Sequence, residues 1–111
     1  MTSQCVLNIA PMDMPRQMGN VVFDTAFIAA SGIDENGAYL LDQDDAQIVG
    51  MAVKRARKVI LVAEHQKFVN KSYYRICPLD KISLFITDQA PTPEQRAMFA
   101  PETKIIVTKE A

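Results

Sequence analysis

Three short apolar runs, Ala26–Ala30, Val59–Ala63 and Leu84–Ile86, are each followed at once by a polar cluster. The clusters are Ser31-Gly32-Ile33-Asp34-Glu35, Glu64-His65-Gln66-Lys67 and Thr87-Asp88. The stretch Phe23–Ala30 is dense in apolar residues with little alternation, the pattern of a strand covered on both faces by helices. Asp34-Glu35-Asn36-Gly37 reads as a turn, with Tyr39-Leu40-Leu41 as a brief extended segment. In Asp44–Lys58 the residues Ile48, Met51, Ala52 and Ala56 fall at helical spacing and form one apolar stripe. Asp42, Asp44 and Asp45 stand at the start of this helix, and Lys54, Arg55, Arg57 and Lys58 fall in its last turn. That polarity complements the helix dipole.

Val59-Ile60-Leu61-Val62-Ala63 is the strongest strand pattern in the chain. The order strand, helix, strand permits a parallel crossover. An irregular connection through Tyr73-Tyr74 and Cys77-Pro78 then leads to a strand at Ile82–Ile86. A short helix follows within Pro91–Ala100, beginning near Pro93-Glu94, and Lys104–Val107 supplies a last strand. Near the amino terminus, Cys5–Ile9 has the apolar content of a strand, and Met12, Met14 and Met18 suit a small packed helix face. The expected architecture is α/β: a mostly parallel, three-layer Rossmann-like sheet.

In open parallel sheets ligands bind outside the carboxyl ends of the strands, where the backbone stops pairing and side chains from separate strands converge. If the three runs are neighbours, their polar clusters line one rim. Lys67 is the useful cation there, a point-charge partner for phosphate, while Glu64 and Asp34 are acceptors for hydroxyl groups. A plain Glu64–Lys67 surface salt bridge explains the spacing of that pair equally well. Gly32 permits a close backbone approach. A turn that caps its own backbone is the simpler account of Ser31–Glu35.

His65 is the only histidine, so a His-based metal site or triad has little to draw on. The aspartates at 42, 44 and 45 are explained as a helix start before any carboxylate metal site is needed. Cys77 has no base beside it in sequence and reads as a structural thiol. Tyr73 and Tyr74 suit stacking on either a sugar or a partner chain.

The 111 residues suffice for one domain and one core. Twelve basic residues are interspersed among thirteen acidic ones for a formal net charge of −1, which makes the chain by itself a poor ligand for nucleic acid. Two cysteines without metal-type spacing, no signal-like amino terminus and no run long enough to span a bilayer lead to the expectation of a cytoplasmic protein away from membranes. No metal or other cofactor is expected.

The run Asp24-Thr25-Ala26-Phe27-Ile28-Ala29-Ala30-Ser31-Gly32-Ile33-Asp34, the helix with Val53-Lys54-Arg55-Ala56, the segment Val59–Phe68 and the closing Ile86-Thr87-Asp88 together resemble the DeoR family of bacterial sugar-operon repressors. The resemblance spans Asp24 to Asp88 in order and spacing. It implies the distal part of a carboxyl-terminal sensor for phosphorylated sugars or polyols, folded like ribose-5-phosphate isomerase and the CoA transferases. Ser31, Gly32, Asp34, Glu35, Glu64 and Lys67 are the expected effector-binding residues. Residues 1–111 are then a single, incomplete sensing domain without the family's helix-turn-helix, so that DNA is reached only through a domain outside this sequence. Glu64 stands where the family usually has Asp, and Val69 where it commonly has Gly.

An incomplete sheet exposes an edge and an apolar face, so a homo-oligomer is expected. The leading expectation is a non-catalytic effector sensor. Two alternatives are an isomerase-like enzyme, with Glu64 as general base and Lys67 stabilising an enediolate, and a module that serves only oligomerisation.

Overall fold

In a computed structural model the residues described are 22–70 and 72–108. Strand β1 (Phe23–Ala29) leads into a hairpin of β2 (Gly32–Asp34) and β3 (Gly37–Leu40), then helix α1 (Gln43–Arg55) and strand β4 (Ala56–Val62). A 3-10 turn at His65–Phe68, strand β5 (Tyr74–Cys77) and a second 3-10 turn at Leu79–Lys81 precede β6 (Leu84–Thr87), helix α2 (Pro93–Ala97) and β7 (Lys104–Val107). The strands form two sheets. One is fully parallel in the order β1-β4-β6-β7, and the other is antiparallel in the order β2-β3-β5. The α/β, mostly parallel expectation therefore holds. The strand and helix face expected at Cys5–Ile9 and at Met12, Met14 and Met18 lie outside the described residues.

Helix α1 starts where the aspartates place it. The Asp42 carboxylate accepts from the backbone N–H of Asp44 at 2.8 Å and of Asp45 at 3.1 Å, satisfying two donors that the first turn leaves open. Replacing Asp42 by Ala should lower stability by about 1 kcal/mol, read as a lower urea midpoint at unchanged slope. The helix stops sooner than its periodicity suggests. Ala56 is already extended and pairs with Phe23, and Lys58 pairs with Thr25, so Arg57 and Lys58 belong to β4 and not to the last helical turn. The parallel ladder with β1 takes the backbone groups that three more helical residues would use, and tertiary pairing overrides local propensity. Arg57 reaches Asp24 across that ladder at 3.2 Å.

The connection expected to be irregular is also ordered otherwise. Tyr74–Cys77 pairs with β3, a partner far away in sequence, and Pro78 ends the strand.

Residues adjacent across the ladders share a face, so Ile28, Leu61, Phe85 and Ile105 form one row of the buried side. Beneath that row sit Ile33, Leu79 and Ile82, all nearly inaccessible. Phe85 stacks on Phe99 with ring centroids 4.9 Å apart and meets the edge of Phe68 at 5.8 Å. The opposite face carries Phe27, Val62 and Ile106, which remain 38%, 44% and 46% exposed among the described residues. Burial in β1 accordingly alternates, and its second face is not covered by the described residues as its apolar density suggests.

Candidate functional site

Because β1, β4 and β6 are parallel neighbours, their carboxyl ends share one edge of the sheet: Ala29 pairs with Val62, and Val62 with Ile86. The residues that follow, Ser31, Glu64 and Asp88, thus stand on one rim, as the sequence pattern anticipates. The 3-10 turn His65–Phe68 packs against β2, bringing the Ser31–Asp34 and Glu64–Lys67 segments together.

The hairpin is closed by Ser31 N–H donating to the Tyr39 carbonyl at 2.8 Å, and its tip is held by Asn36 N–H donating to the Asp34 carboxylate at 2.8 Å. Asp34 does act as a turn cap. Glu35 lies exposed at the hairpin tip. At Gly37 the backbone has φ of +151°, and a Cβ there would stand 2.4 Å from the Cys77 carbonyl oxygen, so the turn into β3 requires glycine. Gly32 meets a different constraint. A Cβ at that position would lie 2.8 Å from the Asn70 carbonyl oxygen and 3.0 Å from Ser72 Cβ.

On the β4 side, Lys67 N–H donates to the Glu64 carbonyl at 3.0 Å and Val69 N–H to that of Gln66 at 3.1 Å. The turn is anchored from β6. Asp88 accepts from His65 N–H at 2.7 Å, and its two oxygens lie 3.1 Å from His65 Nδ1. Hydrogen bonding from the His65 backbone, opposed by partial burial, holds the Asp88 carboxyl below its ordinary value. Its ionised form therefore stabilises the fold at neutral pH, and that contribution fades as pH falls through the lowered folded-state value. The stability difference between the wild type and Asp88→Ala should shrink in acid below about pH 4, as read by urea titration across pH.

Glu64 and Lys67 form no ion pair. Among the described residues the ion pairs are Arg57–Asp24 and His65–Asp88, so the salt-bridge account of the Glu64–Lys67 spacing does not hold. Lys67 is half-buried and Glu64 exposed.

Beside this turn opens a cleft of about 340 Å³ lined by Ile33, Asp34, Tyr39, Phe68, Val69, Asn70, Ser72 and Tyr73. Asp34 is the one expected site residue in its wall. Gly32 supports the wall from behind, and Glu64, Lys67, Ser31 and Glu35 lie outside the lining. Burial, and next the hydrogen-bonding Asp34 carboxylate, raise the Tyr39 hydroxyl above its usual value.

Tyr39, Asn70 and Ser72 had no signal in the sequence, because they converge only through the β3–β5 pairing. Tyr73, singled out in the sequence as suited to stacking, lines the cleft, and Asp88 was legible as a rim residue though not as the anchor of the turn. Cys77 is buried, and loss of solvation pushes its thiol up to about 11, consistent with a structural residue and unsuited to a nucleophile. No helix of the described residues is long and apolar enough to cross a membrane.

The chain is 34% identical over 68 residues to the HTH-type transcriptional repressor GlcR of Bacillus subtilis, covering 61% of this chain and 26% of that protein. It is 36% identical over 67 residues to the HTH-type transcriptional regulator GlpR of Haloferax volcanii, covering 60% and 26%. With the deoxyribose operon repressor of Escherichia coli K12 it shares 27% identity over 85 residues, covering 76% and 34%. The chain thus spans about a quarter to a third of the length of these relatives. The profile of the DeoR C terminal sensor domain matches residues 7–89, and the chain belongs to that family of sensor domains.

Proposed function

We propose that this chain is the effector-binding part of a DeoR-type transcriptional repressor of sugar or polyol utilisation, and that it senses a phosphorylated sugar or polyol. The observation that carries the reading is Lys67, half-buried and without an ion-pair partner among the described residues, on the strand-end turn that adjoins a cleft lined in part by Asp34. Lys67 binds the phosphate. Glu64 and Asp34 accept from hydroxyls, and the Gly32 and Ser31 backbone holds the hairpin against the turn. Glu35 at the hairpin tip contributes negative charge near the mouth.

Residues 1–111 act as one sensing unit. DNA is bound by a helix-turn-helix domain of the longer protein, in keeping with the HTH-type names of the GlcR and GlpR relatives. Effector binding shifts the repressor between two conformations through differential affinity, and no bond in the ligand changes. The reading carries no cofactor and a cytoplasmic setting. Self-association belongs to it as well: the exposed Phe27, Val62 and Ile106 face is covered by a second copy.

The test is to add ribose 5-phosphate to the protein at high concentration and follow both by NMR. Shifts of the Gly32, Asp34 and Lys67 amides with the sugar signals chemically unchanged over hours support a sensor. Conversion to the ketose, abolished by Glu64→Gln, would favour the isomerase alternative.

A further inference from the structure

At the other end of β4 from the rim, a cavity of about 380 Å³ is lined by basic side chains from three separate elements: Lys54 in the last turn of α1, Arg57 near the start of β4, and Lys81 in the second 3-10 turn. Its apolar wall comes from Val53, Val59 and Ile76, all buried, with the Cys77 thiol beside them. Six residue steps of about 3.3 Å put Ala56 roughly 20 Å from Val62, so this cavity and the Glu64–Lys67 turn stand at opposite ends of the strand.

The charges are not explained by local structure. The carboxyl end of α1 favours Lys54, but Arg57 belongs to β4 and Lys81 to a separate turn, and like charges brought to one cavity repel each other. A bound anion relieves that repulsion. Arg57 Nη1 meets one Asp24 oxygen at 3.2 Å, yet the two side chains are 73% and 92% exposed, and an exposed pair of this kind contributes little and yields readily. Asp80, next to Lys81, is exposed and outside the lining. The wall itself is dry and uncharged. Loss of solvation, its largest influence, pushes the Cys77 thiol up to about 11, so it stays neutral at physiological pH. At Gly50, which also lines the cavity, α1 approaches β5 so closely that a Cβ would stand 3.2 Å from the Ile76 carbonyl oxygen. Packed backbone therefore fixes the two sides.

We propose that this cavity is a second ligand site, for a small polycarboxylate with a hydrocarbon body. Carboxylates meet the Arg57 guanidinium and the Lys54 and Lys81 ammonium groups, while the hydrocarbon covers Val53, Val59 and Ile76. The volume lies at the small end of sites that take small molecules, roughly 300–1,000 Å³. An inorganic anion gains the charge contacts but leaves the apolar wall wet. The site goes beyond sugar-phosphate sensing and does not rest on it.

The experiment is an NMR titration of the 111-residue chain at fixed ionic strength, because exposed cations are screened by salt. The probes are tricarballylate, a tricarboxylate on a hydrocarbon chain, and sulfate, an anion without one. Tricarballylate should shift the Gly50, Val53 and Lys81 amides saturably, and sulfate should bind at least about tenfold more weakly. The double substitution Lys54→Gln with Lys81→Gln should weaken tricarballylate by about tenfold or more. Both lysines are exposed, so the β6 amides should keep their wild-type positions and report an intact fold. Lys67→Ala, at the far end of β4, should bind tricarballylate like the wild type.

No saturating shift with tricarballylate, equal affinity for sulfate, or full affinity retained in the double variant would overturn the site. Loss of tricarballylate binding in Lys67→Ala, with shifts confined to Gly32, Asp34 and Lys67, would overturn it too, by placing the anion at the rim.

Discussion

Phe85→Ala should cost about 3–5 kcal/mol and abolish effector binding together with it. Phe85 has no exposed surface, pairs with Leu61 in the middle of the parallel sheet, and stacks on Phe99 at 4.9 Å. Its truncation leaves a cavity that the flanking strands cannot close without breaking their ladders. The effect reaches the site because Phe68 rests its ring edge against Phe85 at 5.8 Å, and Phe68 closes the 3-10 turn that carries Lys67. Typical domains are stable by about 5–15 kcal/mol, so the loss is a large fraction of the total. Urea titration should show the lower midpoint. Phe85→Leu keeps most of the volume and should restore much of both stability and binding. A Phe85→Ala protein of near-wild-type stability would contradict the placement of the core.

The second large effect is expected at Gly32. An alanine there places Cβ 2.8 Å from the Asn70 carbonyl oxygen, a backbone atom held by the segment that walls the cleft. The segment has to move outward, which should cost about 1–3 kcal/mol in strain and enlarge the space between Asp34 and Ser72. Affinity for a sugar phosphate should fall by an order of magnitude or more, since small displacements of positioned polar groups remove their directionality. Chemical shifts of Asn70 and Ser72 should move while those of β6 and β7 stay in place. If Gly32→Ala binds and melts like the wild type, the close approach of Asn70 and Ser72 is not what shapes the cleft.

These two residues illustrate what a single sequence reveals. The strand-forming runs at β1, β4 and β6 were legible because consecutive Val, Ile, Leu, Phe and Ala residues bounded by polar clusters have few other ways to be buried, and the helix between β1 and β4 permitted the parallel pairing of those two. Lys104–Val107 and the start of the helix at Asp42 were legible for similarly local reasons. What depends on partners far along the chain was not. The end of α1 at Arg55 is decided by pairing of Ala56 with Phe23, and β5 exists because Ala38, Tyr39 and Leu40 offer it a ladder.

The same division applies to the site. Ser31, Glu64 and Asp88 were placed on one rim by strand direction alone. Tyr39 and Ser72 come together only after two hairpin strands and a return segment pack, and neither carries a motif that marks it. The apolar density of β1 suggested cover on both faces, yet Phe27 is exposed, because density reports what a strand can bury and not what lies over it.

The central claim is that Lys67 anchors the phosphate of a sugar effector at the strand-end rim. Calorimetric titration of the wild type and Lys67→Ala with a panel of sugar phosphates, each beside its unphosphorylated sugar, tests it most directly. The account predicts binding of at least one sugar phosphate by the wild type, weak or absent binding of the free sugar, and loss of roughly tenfold or more in affinity when the ammonium is removed. Sugar phosphates that bind Lys67→Ala as tightly as the wild type, or that bind neither protein, would contradict it.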